Sequence, residues 1–206
     1  MKIIRLGSHN LFQENTYILI KNETALIIDP GDEPAYISEQ LDKINCKVLG
    51  VLATHGHVDH VLSAAHLCEI CDCPFLMSSL DMDWLLELEN MCDHFQLPYY
   101  GSPEIDIDIA EKKMMNLGDF SFRILHTPGH SPGGVCFLFG DKLFSGDTLF
   151  RHSIGRTDLP GGDLKDLQHS VKEKLLVLPG QTLVYPGHLE ETTINEERTS
   201  NPFIVL

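Results

Sequence analysis

Short apolar runs alternate along this chain with longer stretches in which apolar residues recur every three or four positions. Residues 16–20, 25–28, 47–53, 120–125, 135–139, 142–144 and 182–185 are short, apolar or alternating, and bounded by Gly, Pro or Asp, so they predict strands. Residues 58–70, 79–92 and 164–177 predict helices. Val61, Leu62, Ala65 and Ile70 would form the apolar face of the first; Val171, Leu175, Leu176 and Leu178 would do so for the third. Ser79 is placed to cap the second helix and Asp163 the third. Residues 98–109 are turn-rich and acidic and yield no assignment. The alternation predicts an α/β class. The 206 residues contain no low-complexity segment and no long polar linker, which predicts one domain over residues 1–206.

The strand ends carry the candidate chemistry. Residues 48–53 run into Thr54-His55-Gly56-His57. Residues 120–125 run through His126 into Thr127-Pro128-Gly129-His130, and residues 182–185 into Pro186-Gly187-His188. Each time a Gly directly precedes a His. Glycine permits tight turns and close approach of neighbouring chains, so each His is set to face a shared cleft at a sheet edge. Two aspartates follow the same logic, Asp29 in Asp29-Pro30-Gly31 and Asp147 in Ser145-Gly146-Asp147. Histidine and aspartate are the side chains that bind first-row divalent ions through N and O.

The densest cluster is His55, His57, Asp59 and His60. His55 and His57, two apart on an extended loop, can converge on one ion. Asp59 and His60 enter a helix and point toward a second. Zinc usually takes four ligands, so His55, His57, Asp59, His60, His130, Asp147 and His188 divide better between two ions than around one, with Asp147 between them. Asp29 serves as a turn residue before Pro-Gly and as a partner that orients a ligand histidine. His9, His66, His94, His126, His152 and His169 lack such a context and are expected to be ordinary surface or core residues.

Hydrophobic content of 43% and charged content of 22% are those of a globular protein. The formal net charge of −15, with Lys and Arg scattered, excludes the basic footprint of a nucleic-acid binder or of a protein that docks on anionic membranes. A small molecule is the expected partner. No run approaches the ~20 apolar residues of a membrane span. Residues 1–6 do not open a signal peptide, so a cytoplasmic location is expected. Cys46, Cys68, Cys71, Cys73, Cys92 and Cys136 are then expected to be reduced. Cys68, Cys71 and Cys73 lack a second ligand pair at a metal-knuckle spacing and are expected to be structural thiols.

Residues 54–60 have the form Thr-His-x-His-x-Asp-His. They are followed in order by Pro128-Gly129-His130-Ser131-Pro132-Gly133, Ser145-Gly146-Asp147-Thr148 and Pro186-Gly187-His188. In these motifs the chain resembles the metallo-β-lactamase superfamily over nearly its whole length. Ser153-Ile154-Gly155-Arg156-Thr157-Asp158-Leu159-Pro160-Gly161-Gly162 and Thr192-Thr193-Ile194-Asn195-Glu196-Glu197-Arg198 are similar to segments of its short bacterial glyoxalase II (hydroxyacylglutathione hydrolase-like) group.

The resemblance implies a four-layer αβ/βα sandwich, an α+β arrangement, with metals at one edge. It implies that His55, His57 and His130 bind one ion and Asp59, His60 and His188 the other, with Asp147 bridging. Zinc is the expected metal; iron and manganese suit the same N and O donors. The implied reaction is hydrolysis of a small-molecule thioester by a metal-bridging hydroxide, with Asp59 as the catalytic residue that accepts a proton or holds the nucleophile. Full-length glyoxalase II enzymes carry a C-terminal helical region that helps bind glutathione, and the residues after His188 are too few to supply one. Leu189 stands where relatives often have Gly and is expected to reshape the pocket rim without removing a ligand.

Three alternatives share these residues. An iron-dependent persulfide dioxygenase of the same superfamily would place His55, His130 and Asp147 on one iron. Gly155-Arg156-Thr157-Asp158 also occurs in such proteins, whereas the following Leu159-Pro160-Gly161-Gly162 fits the hydrolases better. A lactonase or β-lactamase is the second, against which the expected absence of an export signal weighs. A non-catalytic metal-binding protein is the third, against which the retention of all seven ligands weighs.

Overall fold

The structure, a computed structural model, describes residues 1–8 and 10–204; His9 lies outside the described residues. Strand β1 (Lys2–Gly7) pairs antiparallel with β2 (Asn15–Lys21), and β2 with β3 (Thr24–Ile28). Helix α1 (Pro34–Ile44) crosses to β4 (Lys47–Leu52), which lies parallel to β3. Helices α2 (Val58–Val61) and α3 (Ala64–Cys71) lead to β5 (Phe75–Met77), and α4 (Met82–Leu86) and α5 (Leu88–Phe95) to the short β6 (Ile107–Asp108). These strands form one six-stranded sheet in the order β1-β2-β3-β4-β5-β6.

The second sheet begins with the meander β7 (Met114–Leu117), β8 (Phe120–His126), β9 (Val135–Phe139) and β10 (Lys142–Gly146). A small ribbon of β11 (Leu149–Phe150) and β12 (Ser153–Ile154) follows, then helix α6 (Leu164–Ser170) with a π-helical turn (Val171–Leu175). Strand β13 (Leu183–Pro186) returns parallel to β10, β14 (Thr192–Thr193) pairs beside it, and α7 (Ile194–Ser200) follows. The sheet order is β14-β13-β10-β9-β8-β7.

Both faces of the central strands are covered, which is why they are apolar runs and not clean alternations. The alternation is still present in where the side chains go. Tyr17, Leu19, Leu26, Ile28 and Leu52 face the second sheet, meeting Phe122, Phe137, Phe144 and Tyr185. Their neighbours Ile18, Ala25, Ile27 and Val51 face the opposite way, onto Ile37, Val61, Leu67 and Leu88 of the outer helices. On the far side Cys136, Leu138, Leu143 and Val184 pack on Leu167, Val171, Leu175 and Ile194. The result is helix, sheet, sheet, helix: the four-layer arrangement the resemblance implies. Among the described residues no helix is long and apolar enough to cross a membrane.

All seven predicted strands form, with ends that differ by at most two residues. The helices differ more. The predicted helix over 58–70 breaks at Leu62 and Ser63, because the Ser63 amide bonds the Pro30 carbonyl (3.0 Å) and its hydroxyl bonds the Asp32 carbonyl. The break changes the phase, so Ala64 and Leu67 are buried and Ile70 is exposed, contrary to the predicted face. The predicted helix over 79–92 is a 3-10 turn (Ser79–Asp81) followed by α4 and α5. Its cap is Ser78, not Ser79, whose hydroxyl instead donates to Asp108 (2.8 Å). Asp163 caps α6 as expected, accepting from the Lys165 and Asp166 amides. Helix α1 was missed although Ile37, Leu41 and Ile44 have the right spacing. Strands β1, β5, β6, β7, β11, β12 and β14 and helix α7 likewise lie outside the predicted elements.

Phe137 is fully buried between the sheets, edge-on to Phe122 at 5.8 Å. Phe137→Ala is expected to lower stability by ~3–5 kcal/mol. Denaturant unfolding at fixed metal content checks this; a loss below ~1 kcal/mol would mean the inter-sheet layer is not the main core.

Candidate metal centre

Strand polarity brings the candidate residues together. β3 and β4 are parallel, so Asp29 and the loop Thr54–His57 leave the first sheet at the same edge. β8, β10 and β13 also run one way, because β9 is antiparallel to both β8 and β10, while β13 is parallel to β10. His130, Asp147 and His188 therefore leave the second sheet at one edge. Hydrogen bonds pin the two edges to each other: the Val135 amide to the Thr54 carbonyl (2.9 Å), the Asn15 amide to the Gly187 carbonyl (2.7 Å), and the Tyr17 hydroxyl to the Pro186 carbonyl (2.7 Å).

His55 Nε2, His57 Nδ1 and His130 Nε2 lie 2.9, 2.9 and 3.2 Å from one another. A tetrahedral ion with bonds of ~2.0–2.1 Å has ligand–ligand edges of ~3.3 Å, so this triangle fits one face of such a site. The outer ring nitrogens of His130 and His55 set their tautomers, while His57 Nε2 is buried without a hydrogen-bond partner. His130 Nδ1 donates to the Arg156 carbonyl (2.7 Å). His55 Nδ1 lies 3.1 Å from Thr54 Oγ1, which itself donates to Asp29 (2.8 Å). Both arrangements leave Nε2 with a free lone pair aimed inward. Burial, reinforced by neighbouring histidines, holds His55 well below its usual range, and burial with His130 pushes His57 down to about 3. These two rings are neutral donors at neutral pH.

The second group is richer in charge. His188 Nε2 lies 3.3 Å from Asp59 Oδ2 and 3.5 Å from Asp147 Oδ2. His60 Nε2 lies 3.3 Å from Asp147 Oδ1, and His60 Nδ1 is 3.0 Å from Asp29 Oδ2. Asp147 Oδ2 is also 3.5 Å from His130 Nε2, so this carboxylate stands between the two groups. Burial disfavours charge on His188 and His60, but the adjoining carboxylates outweigh it. His188 rises to about 9, and His60 rises as well. For Asp59 and Asp147 burial opposes ionisation, yet His60 and His188 hold both below the usual carboxylate range. His60 Nε2 and Asp147 Oδ1 are buried without a hydrogen-bond partner. Unpartnered buried N and O atoms facing one point, in a set of four histidines and two aspartates with His57 beside them, suit a pair of divalent cations.

All seven candidate ligands therefore meet at one edge, and none of His66, His94, His126, His152 and His169 joins them. Asp29 combines its two expected roles: its backbone adopts φ +51°, and its carboxylate accepts from the Thr54 amide (2.7 Å) and faces His60. Two buried acids were not anticipated. Asp81 accepts from the Gly56 amide (3.0 Å), the Ser131 hydroxyl (2.7 Å) and the Gly133 amide (2.5 Å), tying the loop of His55 and His57 to that of His130. Glu14 lies behind His60 beside Asp29, and burial raises its carboxyl well above the usual range. No sequence signal marked Asp81 within a predicted helix. The glycines before the histidines do different work. Gly129 has φ +132°, whereas at Gly187 a Cβ would stand 2.4 Å from Asp147 Oδ1 and 2.6 Å from the His60 ring. Leu189 is exposed with φ +66°, in the left-handed region that suits glycine.

A four-layer sandwich with histidines and aspartates gathered at its sheet edges defines the class of metal-dependent hydrolases with two mixed sheets. Residues 9–188 match the metallo-beta-lactamase superfamily, and the chain belongs to it. It is 36% identical to the Haemophilus influenzae protein named hydroxyacylglutathione hydrolase GloC, over 94% of this chain and 93% of that one. The crystal structure of the BLEG-1 B3 metallo-beta-lactamase superposes with a TM-score of 0.93 at 33% identity over 100% of both chains. The structure of TTHA1623 in a di-iron-bound form gives 0.87 at 38% identity over 98% of this chain and 100% of that one.

Two predictions follow the geometry. Asp81→Ala strands two amides and a hydroxyl and loosens both histidine loops; metal affinity is expected to fall by roughly 10–100-fold, read by competition with a chromogenic chelator. Unchanged affinity would remove Asp81 from this role. The two halves should also differ in proton release. Near neutral pH His188, at about 9 in the metal-free protein, carries a proton that a metal must displace, whereas His55 and His57 carry none. Calorimetry in buffers of different ionisation enthalpy is expected to show net proton release on full loading, declining as pH rises past about 9. Loading without proton release contradicts this.

Proposed function

We propose that this chain, a single domain, hydrolyses small-molecule thioesters of the hydroxyacylglutathione type, holding two divalent ions through His55, His57 and His130 on one side and Asp59, His60 and His188 on the other, with Asp147 between them. The observation that carries the reading is the inward convergence of the three histidine nitrogens with a carboxylate shared between both groups. The likeness to the Haemophilus protein supports the thioester class. Zinc suits the triangle; the di-iron form of a 38% identical protein makes iron the main rival. The six free cysteines suit a reducing cytoplasm.

Bound divalent ions supply hydroxide near neutral pH and polarise a carbonyl. The residues organise the rest. Asp59, ionised and 3.3 Å from His188, lines the pocket and acts as the catalytic residue that holds the attacking water and accepts its proton. Asp147 keeps the two halves in register, and the Arg156 carbonyl fixes the His130 ring. A thiolate departs without a strong general acid, which fits a lining whose only Lys or Arg, Arg156, is engaged with Asp158 (2.7 Å).

Elemental analysis together with an S-lactoylglutathione assay tests the proposal. Roughly two ions per chain with turnover are expected, and Asp59→Ala with metal retained is expected to lower kcat by roughly 10²–10⁴-fold. One iron without thioesterase activity would sink the reading. A second reading, β-lactam hydrolysis, rests on the superposition with BLEG-1; faster turnover of a chromogenic cephalosporin than of any thioester would favour it.

A further inference from the structure

The cavity over the candidate metal centre has a volume of about 350 Å³. Its floor is five of the metal-facing residues. Its walls are almost entirely apolar: Phe12, Trp84, Met91, Phe95, Phe150 and Leu159, with Val58 beneath. Trp84 comes from α4, and Met91 and Phe95, four apart, from α5; all three form one stripe along the cavity, while Leu85, Leu88 and Cys92 turn to the core. Phe12 caps this stripe edge-on to Phe95 at 4.9 Å. The wall is continuous with the metal-facing groups: Trp84 stands edge-on to His57 at 4.3 Å, and Phe150 edge-on to His188 at 5.9 Å.

Partly exposed aromatic and Met side chains gathered in one concavity mark a surface that a ligand covers. The charge of the lining points the same way. Its one Lys or Arg side chain, Arg156, is 61% exposed and held by both oxygens of Asp158. Among the described residues the lining offers a doubly carboxylated thiol such as glutathione no further Lys or Arg, and the chain as a whole is at −15.

Resting on the thioesterase reading, we infer that this pocket selects its substrate by an apolar acyl group, aromatic or medium-chain aliphatic, laid against Trp84, Met91 and Phe95, rather than by the small hydroxyacyl group or the charge of the thiol. A wall of this kind rewards each buried methylene by about 0.8 kcal/mol, a three- to fourfold gain in kcat/KM or affinity.

The metal-loaded protein tests this with one neutral thiol, N-acetylcysteamine, carrying lactoyl, acetyl, butyryl, hexanoyl or benzoyl groups. kcat/KM is expected to climb roughly three- to fourfold per methylene from acetyl to hexanoyl, with lactoyl near the bottom, and Phe95→Ala is expected to flatten the series. A second readout does not need turnover. Trp84 is the chain's one tryptophan, so its fluorescence reports on this wall alone. Hexanoate is expected to perturb it at lower concentration than lactate. A flat series, or one led by lactoyl, with equal lactate and hexanoate binding overturns the inference and leaves the thioesterase reading intact. Tighter hexanoate binding without turnover of any thioester supports the apolar pocket and overturns the thioesterase reading instead.

Discussion

Three imidazole nitrogens held 2.9–3.2 Å apart in a buried triangle are the constraint around which this protein is arranged. Rings packed this closely in a buried setting need surrounding structure to hold them in place. Two sets of contacts do so. Asp81 joins the two loops that carry the rings, and Thr54, Asp29 and the Arg156 carbonyl fix which nitrogen points inward. Further out, the two sheets are clamped at this edge by bonds from Val135, Asn15 and Tyr17.

The neighbouring group solves the opposite problem. There carboxylates outnumber what burial alone would tolerate, and His60 and His188 take up protons to balance Asp59, Asp147 and Asp29. One half of the centre is thus a neutral pocket waiting for charge, the other a charge-balanced network in which a metal would replace protons. Asp147 belongs to both, which couples the halves: whatever moves β10 moves each. Gly187 makes the coupling possible, since any side chain there would collide with Asp147 and His60.

The same edge brings together the candidate ligands and an apolar wall from different layers. The strand ends bring polar groups because their C-termini run out together. The α4–α5 segment brings apolar ones because its stripe is split between core and cavity. Asp81 sits where these meet, bonded to the metal loops while opening the segment that bears Trp84.

Much of this was legible in the chain itself. The central strands β2, β3, β4, β8, β9, β10 and β13 were, because burial on both faces leaves apolar runs, whereas the shorter and edge strands were not. The gathering of the seven candidate residues at one edge was legible too, because His and Asp placed directly after strand ends, with Gly before His57, His130 and His188, form a local pattern. Helix phase was not: the break at Leu62 and Ser63 depends on a bond to Pro30, far away in sequence. Nor was Asp81, an acid whose three donors come from two distant loops, nor the wall of Phe12, Trp84, Met91 and Phe95, ordinary helix and loop residues until the fold stands them over the histidines. The sequence by itself determined which residues are candidates for the centre, since residue identity and strand ends are local properties. Only the tertiary structure decided how those atoms are oriented and what surrounds them, because tautomer, charge balance and pocket shape arise from contacts between segments that no local pattern links.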